Sequence, residues 1–248
     1  LLVMGGLSIS FFSYQVIKAT RLVMLGAPDN RFDSWGLRIK EMLVGWLGQK
    51  KVLRDKVAGT MHVLMFWGFL MLGSDMLDLA SANYFSENIL PSFLNNPWNG
   101  IVELGYTTAL LGALAALIRR IIFTPEKLKG KSQLEGNFIL VLILTITSTS
   151  FIIESPENPS SFWEPFGFWV SGLGLSSTFI IVSYWAHMVA ICCFLILIPV
   201  SKHMHLVMAI PNVFFHDTQA LGKMRPLAIG EDGKAVPLED LDIDSFGV

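Results

Sequence analysis

The chain has 248 residues, of which 52% are hydrophobic and 15% charged, and a formal net charge of -2. With a mean hydropathy of +0.55, these values are poor for a soluble domain and ordinary for a polytopic membrane protein. Nothing in the charge balance points to nucleic acid. Two adjacent cysteines, Cys192 and Cys193, form no CxxC pair, stand too close for an ordinary disulfide and are too few for an iron-sulfur cluster.

In chain order, apolar runs cover 1–24, 57–80, 99–122, 137–153 and 177–208, each near or above the roughly 20 residues that a spanning helix needs. Backbone polar groups find no water in hydrocarbon, so each run is expected to be helical. The expected fold is an all-α five-helix transmembrane bundle. All 18 Lys and Arg residues fall at or between the same ends of these runs. They cluster from Lys18 to Lys56, from Arg119 to Lys131 and from Lys202 to Lys234, while 82–98 and 154–165 carry none. By the positive-inside rule, the N-terminus is outside and the C-terminus cytoplasmic. The first run has no initiator Met and no charged segment before it, so residue 1 is expected to be a cut into a longer protein.

The stretch 27–56 opens with a turn-like Ala27-Pro28-Asp29-Asn30. It continues as a basic amphipathic segment with Trp35, Leu37, Ile39, Met42, Leu43, Trp46 and Leu47. It reads either as an interfacial helix or as a docking surface for a soluble partner. Trp98, Trp163 and Trp169 fit an aromatic belt, and 161–176 a short interfacial element. The five-helix membrane domain is taken as 1–210. The stretch 211–248, acidic towards its end, is taken as a cytoplasmic tail or linker with too little apolar material to fold alone.

Ionisable side chains inside spans are costly and mark function more often than in soluble cores. His62, His187, His203 and His205 lie in or at the ends of the predicted spans. His187 and His205 are 18 residues apart, five whole turns of an uninterrupted helix, and so are expected on one face about 27 Å apart. The topology brings His62 and His205 to the same depth on facing helices, which makes them an axial pair for a b-type haem. His203 is expected to turn about 200° away from His205, as a surface residue or propionate donor, or as a replacement ligand. Gly59, Gly68 and Gly73 offer a low profile to a flat macrocycle, or simply to a neighbouring helix. Arg54, Lys56 and Lys202 stand where propionates would lie, and read equally as snorkelling anchors.

The segment Ala186-His187 through Ile198-Pro199-Val200-Ser201-Lys202-His203-Met204-His205-Leu206 resembles the fifth helix of the respiratory nitrate reductase gamma subunit. Gly59-Thr60-Met61-His62 with Phe66-Trp67-Gly68-Phe69 resembles its second helix. The likeness is nearer still to the membrane portion of membrane-anchored iron-sulfur oxidoreductases related to heterodisulfide reductase. It implies b-type haem, a cytoplasmic iron-sulfur or flavoprotein partner, menaquinone as substrate and a prokaryotic cytoplasmic membrane. The family's second histidine on the second helix falls at Leu72. This leaves three readings for the outer site: a haem on His187 alone, which the family analogy favours, a His/Met haem using Met71 or Met76, or no haem. Quinone chemistry needs proton carriers, for which Asp75, Asp78, Glu103 and His187 are candidates, with Tyr106 behind them. The acids also read as helix ends facing water. The competing function is a proton- or solute-translocating bundle with a His and acid relay, for which broken helices or inverted repeats would be the sign. A plain anchor would leave the His pair without purpose.

Overall fold

The computed structural model describes residues 2–26, 31–85, 95–123, 131–155 and 159–218. Among them every regular element is helical: α1 (Leu2–Val23), α2 (Trp35–Glu41), α3 (Lys56–Phe85), α4 (Asn95–Ile122), α5 (Lys131–Glu154), α6 (Pro165–Ser171), α7 (Ser177–Leu197) and α8 (His205–Phe214). Lys56–Gly73, Asn96–Ile122, Gln133–Glu154 and Ser177–Val200 are long and apolar enough to cross a membrane, which makes four such segments among the described residues. Helix α1 has 22 residues and is not one of the four, its apolar side chains being interrupted by Ser8, Ser10, Ser13, Gln15 and Lys18. It lies along α7, and Phe12 packs on the core that α5 and α7 share.

Small residues bring α3 and α4 together. A methyl group on Gly68 would come within 2.6 Å of Ala109 Cβ and Gly105 O, and one on Gly112 within 3.0 Å of Leu64 and Met65. Lipid tails are as apolar as the side chains, so helix association in a membrane depends on such close approach rather than on burial from water. Gly68 therefore serves helix packing and not a macrocycle, and Gly59 does the same against the backbone of Val52 and Leu53. Helix α5 carries a polar run that the apolar surroundings tolerate because each hydroxyl is spent locally. Thr145, Thr147, Ser148, Thr149 and Ser150 each donate to the carbonyl four residues earlier at 2.6–3.0 Å. The core between α5 and α7 consists of Ile139, Leu142, Ala190, Phe194 and Ile198. Ile101, Leu111, Val141, Ile181 and Val182 face outward.

The final run is not one helix. α7 stops at Leu197, a tight turn spans Ile198–Val200, and Ser201 is extended at φ -120° and ψ 179°. A second turn at Lys202–Met204 then leads into α8. Pro199 has no N–H to continue the helical ladder. Ser201 Oγ accepts from the His203 amide at 3.1 Å and starts the chain afresh. The expectation of five uninterrupted turns between His187 and His205 is therefore corrected.

The amphipathic stretch before α3 folds back on α8. Helix α2 runs into a wide turn of π-helix, Met42–Leu47, then a short turn at Val52–Arg54. Arg38, only 2% exposed, donates to Phe214 O at 2.8 Å, His216 O at 2.9 Å and Asp33 Oδ1 at 2.7 Å. Arg31 donates to Phe215 O at 2.8 Å. These are the carbonyls that a helix end leaves unpaired, and a guanidinium is matched to them in both geometry and sign. Trp35 stacks edge-on against Phe214, and Phe32 against Phe215.

Candidate functional site

Two neighbouring cavities lie inside the bundle. The first has a volume of about 480 Å³, within the range of about 300–1,000 Å³ typical of cofactor and ligand pockets. Its walls include His62, Phe66 and Phe69 of α3, Ala116 and Arg120 of α4, Gly136 and Ile139 of α5, and His203 and His205. The folded-back stretch closes it with Gly45, Trp46, Gln49, Lys51 and Val52. Trp46 meets Phe66 edge-on at 5.4 Å, and Gln49, with left-handed backbone at φ 49°, donates to Trp46 O at 2.6 Å. The amphipathic stretch is thus a wall of the site, a role that its pattern alone did not reveal.

His62 and His205 face each other with ring centres 6.4 Å apart and planes inclined by 33°. An imidazole nitrogen lies about 2.0 Å from a metal it ligates, and roughly 1.2 Å from its own ring centre. Two rings on opposite sides of one metal would therefore have centres about 6.4 Å apart. His205 Nδ1 donates to Lys202 O at 2.8 Å, which leaves the Nε2 lone pair free. His62 Nδ1 is buried with no hydrogen-bond partner, a state that native chains rarely leave unless something further occupies the site. Among the described residues no three His, Cys, Asp or Glu side chains are placed to hold one metal ion together. The pair thus offers two ligands, the number of axial positions a haem leaves to the protein.

His203 does not turn away as expected. The helix break places it on the same cavity, with its ring 6.0 Å from that of His205 and Nδ1 3.0 Å from Ser201 Oγ. Arg54, Lys56 and Lys202 are absent from the lining; the cations there are Lys51 and Arg120. Arg120 was read only as a topology signal, because its sequence neighbourhood is a cytoplasmic basic end like any other.

The second cavity, about 180 Å³, is walled by Leu72, Gly73, Tyr106, Thr147, Ser150, His187 and Ile191. It shares Met65, Phe69, Ile143 and Phe194 with the first. Leu72 does stand in the same cavity as His187. His187 Nδ1 donates to Ile146 O at 3.1 Å and lies 2.9 Å from Thr149 Oγ1, which leaves its Nε2 as an acceptor. Met71 rests against Gly105 instead. The side chains of Asp75, Met76 and Asp78 lie outside the described residues. Glu103 is 8% exposed and lines neither cavity. Its carboxylate accepts from the amides of Phe166 at 2.8 Å and Gly167 at 3.0 Å, capping α6. It is neither a water-facing acid nor part of the His187 cavity.

No family model matches the chain, and no solved structure matches it significantly. Two curated relatives do. One is named "Probable iron-sulfur-binding oxidoreductase FadF", from Bacillus subtilis, 27% identical over 94% of this chain and 34% of its own length. The other is named "EtfAB:quinone oxidoreductase", from Syntrophomonas wolfei, 27% identical over 85% of this chain and 32% of its own length. The chain therefore spans about a third of the relatives it matches. Its likeness is to oxidoreductases, one named for iron-sulfur binding and one for quinone.

Proposed function

We propose that this chain is the membrane part of a quinone oxidoreductase. In this reading it carries electrons between a cytoplasmic iron-sulfur or flavoprotein partner or domain and menaquinone, through one b-type haem held by His62 and His205. The observation that carries this reading is the 6.4 Å separation of the two rings across a shared, largely apolar cavity. When bound, the haem supplies a one-electron carrier whose potential follows axial ligation, burial and hydrogen bonding. The chain's own part is to hold the two imidazoles. Lys202 O fixes the His205 tautomer, Ser201 and Pro199 set the break that aims α8, and the edge-to-face Trp46 and Phe66 rings form an apolar part of the wall.

The second cavity has less than half the volume of the first, and Leu72 stands where a second ligand would be needed. We therefore read it as the place of a quinone head group rather than of a second haem. His187 Nε2 takes the proton of a quinol hydroxyl, or returns one in the opposite direction, and Tyr106 stands in the same wall. The relatives' greater length supports reading 211–248 as a linker from the 1–210 domain towards an iron-sulfur domain. The one-sided Lys and Arg distribution supports α1 as a fifth span, with an outside N-terminus in a prokaryotic cytoplasmic membrane.

The test is a reduced-minus-oxidised spectrum with a pyridine haemochrome assay on wild type, His62→Ala, His205→Ala and His203→Ala. One low-spin b-type haem per chain is expected in wild type. It should be lost in the first two variants and kept in His203→Ala. Retention of the low-spin signal in His62→Ala would remove the pair as ligands.

A further inference from the structure

Thr147 and Ser150 of α5 line the second cavity, but Thr149 between them does not. Thr149 is 7% exposed and meets the cavity only through the imidazole of His187. Two oxygens of α5 approach Nδ1 of that ring, Thr149 Oγ1 at 2.9 Å and Ile146 O at 3.1 Å. A carbonyl oxygen only accepts, so Ile146 O requires a hydrogen on Nδ1. The Thr149 hydroxyl has a single hydrogen, and Thr145 O, at 2.6 Å, is its shortest contact. With that hydrogen given to Thr145, the hydroxyl turns a lone pair to the imidazole. Both oxygens then demand one tautomer, with the hydrogen on Nδ1 and the lone pair on Nε2.

Two acceptors on one edge of the ring also fix its rotation. The hydroxyls of Thr147 and Ser150, which share the cavity with His187, are given to carbonyls of their own helix. Of the two oxygens that hold the ring, only that of Thr149 belongs to a side chain.

We propose that Thr149 is a positioning residue for the second cavity: its hydroxyl holds His187 with the Nε2 lone pair open to the hydroxyl of a bound quinol. This rests on the quinone reading above. The proton transfer breaks one quinol O–H bond and forms one N–H bond at Nε2. It leaves a quinolate and an imidazolium, so atoms and charge balance without a further reactant. The Nδ1 hydrogen stays on its two oxygens throughout, and the ring need not turn. Without the Thr149 oxygen the ring is tethered by Ile146 O alone and spends less time in that orientation. The quinol itself touches neither, so the loss falls on the rate and not on binding.

Haem reduction by menadiol tests this, followed by stopped-flow absorbance in membranes containing the full-length protein. It yields a limiting rate and a half-saturating concentration for wild type, Thr149→Val, Thr149→Ser, Ser148→Ala and His187→Ala. Thr149→Val keeps the shape without the hydroxyl. It should lower the limiting rate roughly fivefold, the worth of about one hydrogen bond, with half-saturation unchanged. Thr149→Ser should restore most of the rate. Ser148→Ala, which removes an exposed hydroxyl bonded within its own helix, should match wild type. His187→Ala should be slower than Thr149→Val. A wild-type rate in Thr149→Val beside a slow His187→Ala would overturn the positioning role. So would a loss that Thr149→Ser does not recover, or one that appears only in half-saturation. A wild-type rate in His187→Ala, or wild-type protein without reducible haem, would instead overturn the underlying reading, and this one with it. Should Thr149→Val fail to accumulate, Thr149→Ala decides in its place.

Discussion

Removal of Arg38 should detach the wall of the first cavity without disturbing the spans. Two of its hydrogen bonds cross to α8, at Phe214 O and His216 O. Hydrogen bonds involving a charged group contribute about 1.5–3 kcal/mol each. Two bonds give about 3–6 kcal/mol at most. Water reaching the freed carbonyls in Arg38→Ala offsets part of this, which leaves about 3 kcal/mol of docking free energy lost. At 1.4 kcal/mol per factor of ten, that raises the open population of the stretch roughly 150-fold. Hydrogen exchange followed by mass spectrometry on peptides covering Met42–Leu47 and α8 reads this directly, because local opening governs amide exchange. Arg38→Lys, which keeps the charge but loses the fork, should fall between wild type and alanine. Exchange of Met42–Leu47 in Arg38→Ala within threefold of wild type would refute the reasoning and return the stretch to a surface element lying on lipid.

Three further outcomes are expected. The hydrogen bond from Arg38, with its charge, holds the Asp33 carboxyl below the ordinary carboxylate range. Its contribution is therefore complete above the unfolded value of about 3.9 and is lost as pH falls through the lowered folded value. Trp35 fluorescence, reporting the contact with Phe214, should change in that acid window in wild type and not in Asp33→Asn, and identical titrations would count against the linkage. Gly68→Val should destabilise the α3–α4 pair by about 1–3 kcal/mol or more, since the atoms it would strike include backbone of α4 that cannot yield. A thermal midpoint equal to wild type would show that the helices can part freely. Glu103→Gln should retain quinone turnover while loosening the segment around Pro165–Ser171. Loss of turnover with unchanged exchange in that segment would make Glu103 a proton carrier after all.

The sequence was most legible where one residue type carries a rule that needs no neighbours. Apolar length marked the four membrane-length helices, and the approach of His62 to His205 followed from matching positions on helices of similar length. Legibility failed where the backbone departs from a regular helix. Pro199 was visible, but its consequence for His203 was not, since the restart after Ser201 is set by one side-chain hydrogen bond. The role of 31–54 was hidden for another reason. An amphipathic pattern says that one face is apolar, not what covers it, and here part of the cover is α8, whose carbonyls carry no signal in sequence. The place of Arg120 was hidden likewise, because only the packing of α4 on α5 brings its side chain over Gly136.

The clamp between the 31–54 stretch and α8 also has a consequence for biosynthesis. Its hydrogen bonds join residues separated by 184, 176 and 178 positions. A ribosome delivers the near side of the cavity early and the far side late, and domains form N-terminal part first. Until Phe214 emerges, Arg38 has no helix end to hold, and the wall formed by Trp46 and Gln49 cannot close. The wall of the cavity is therefore completed only once the last described helix has been made.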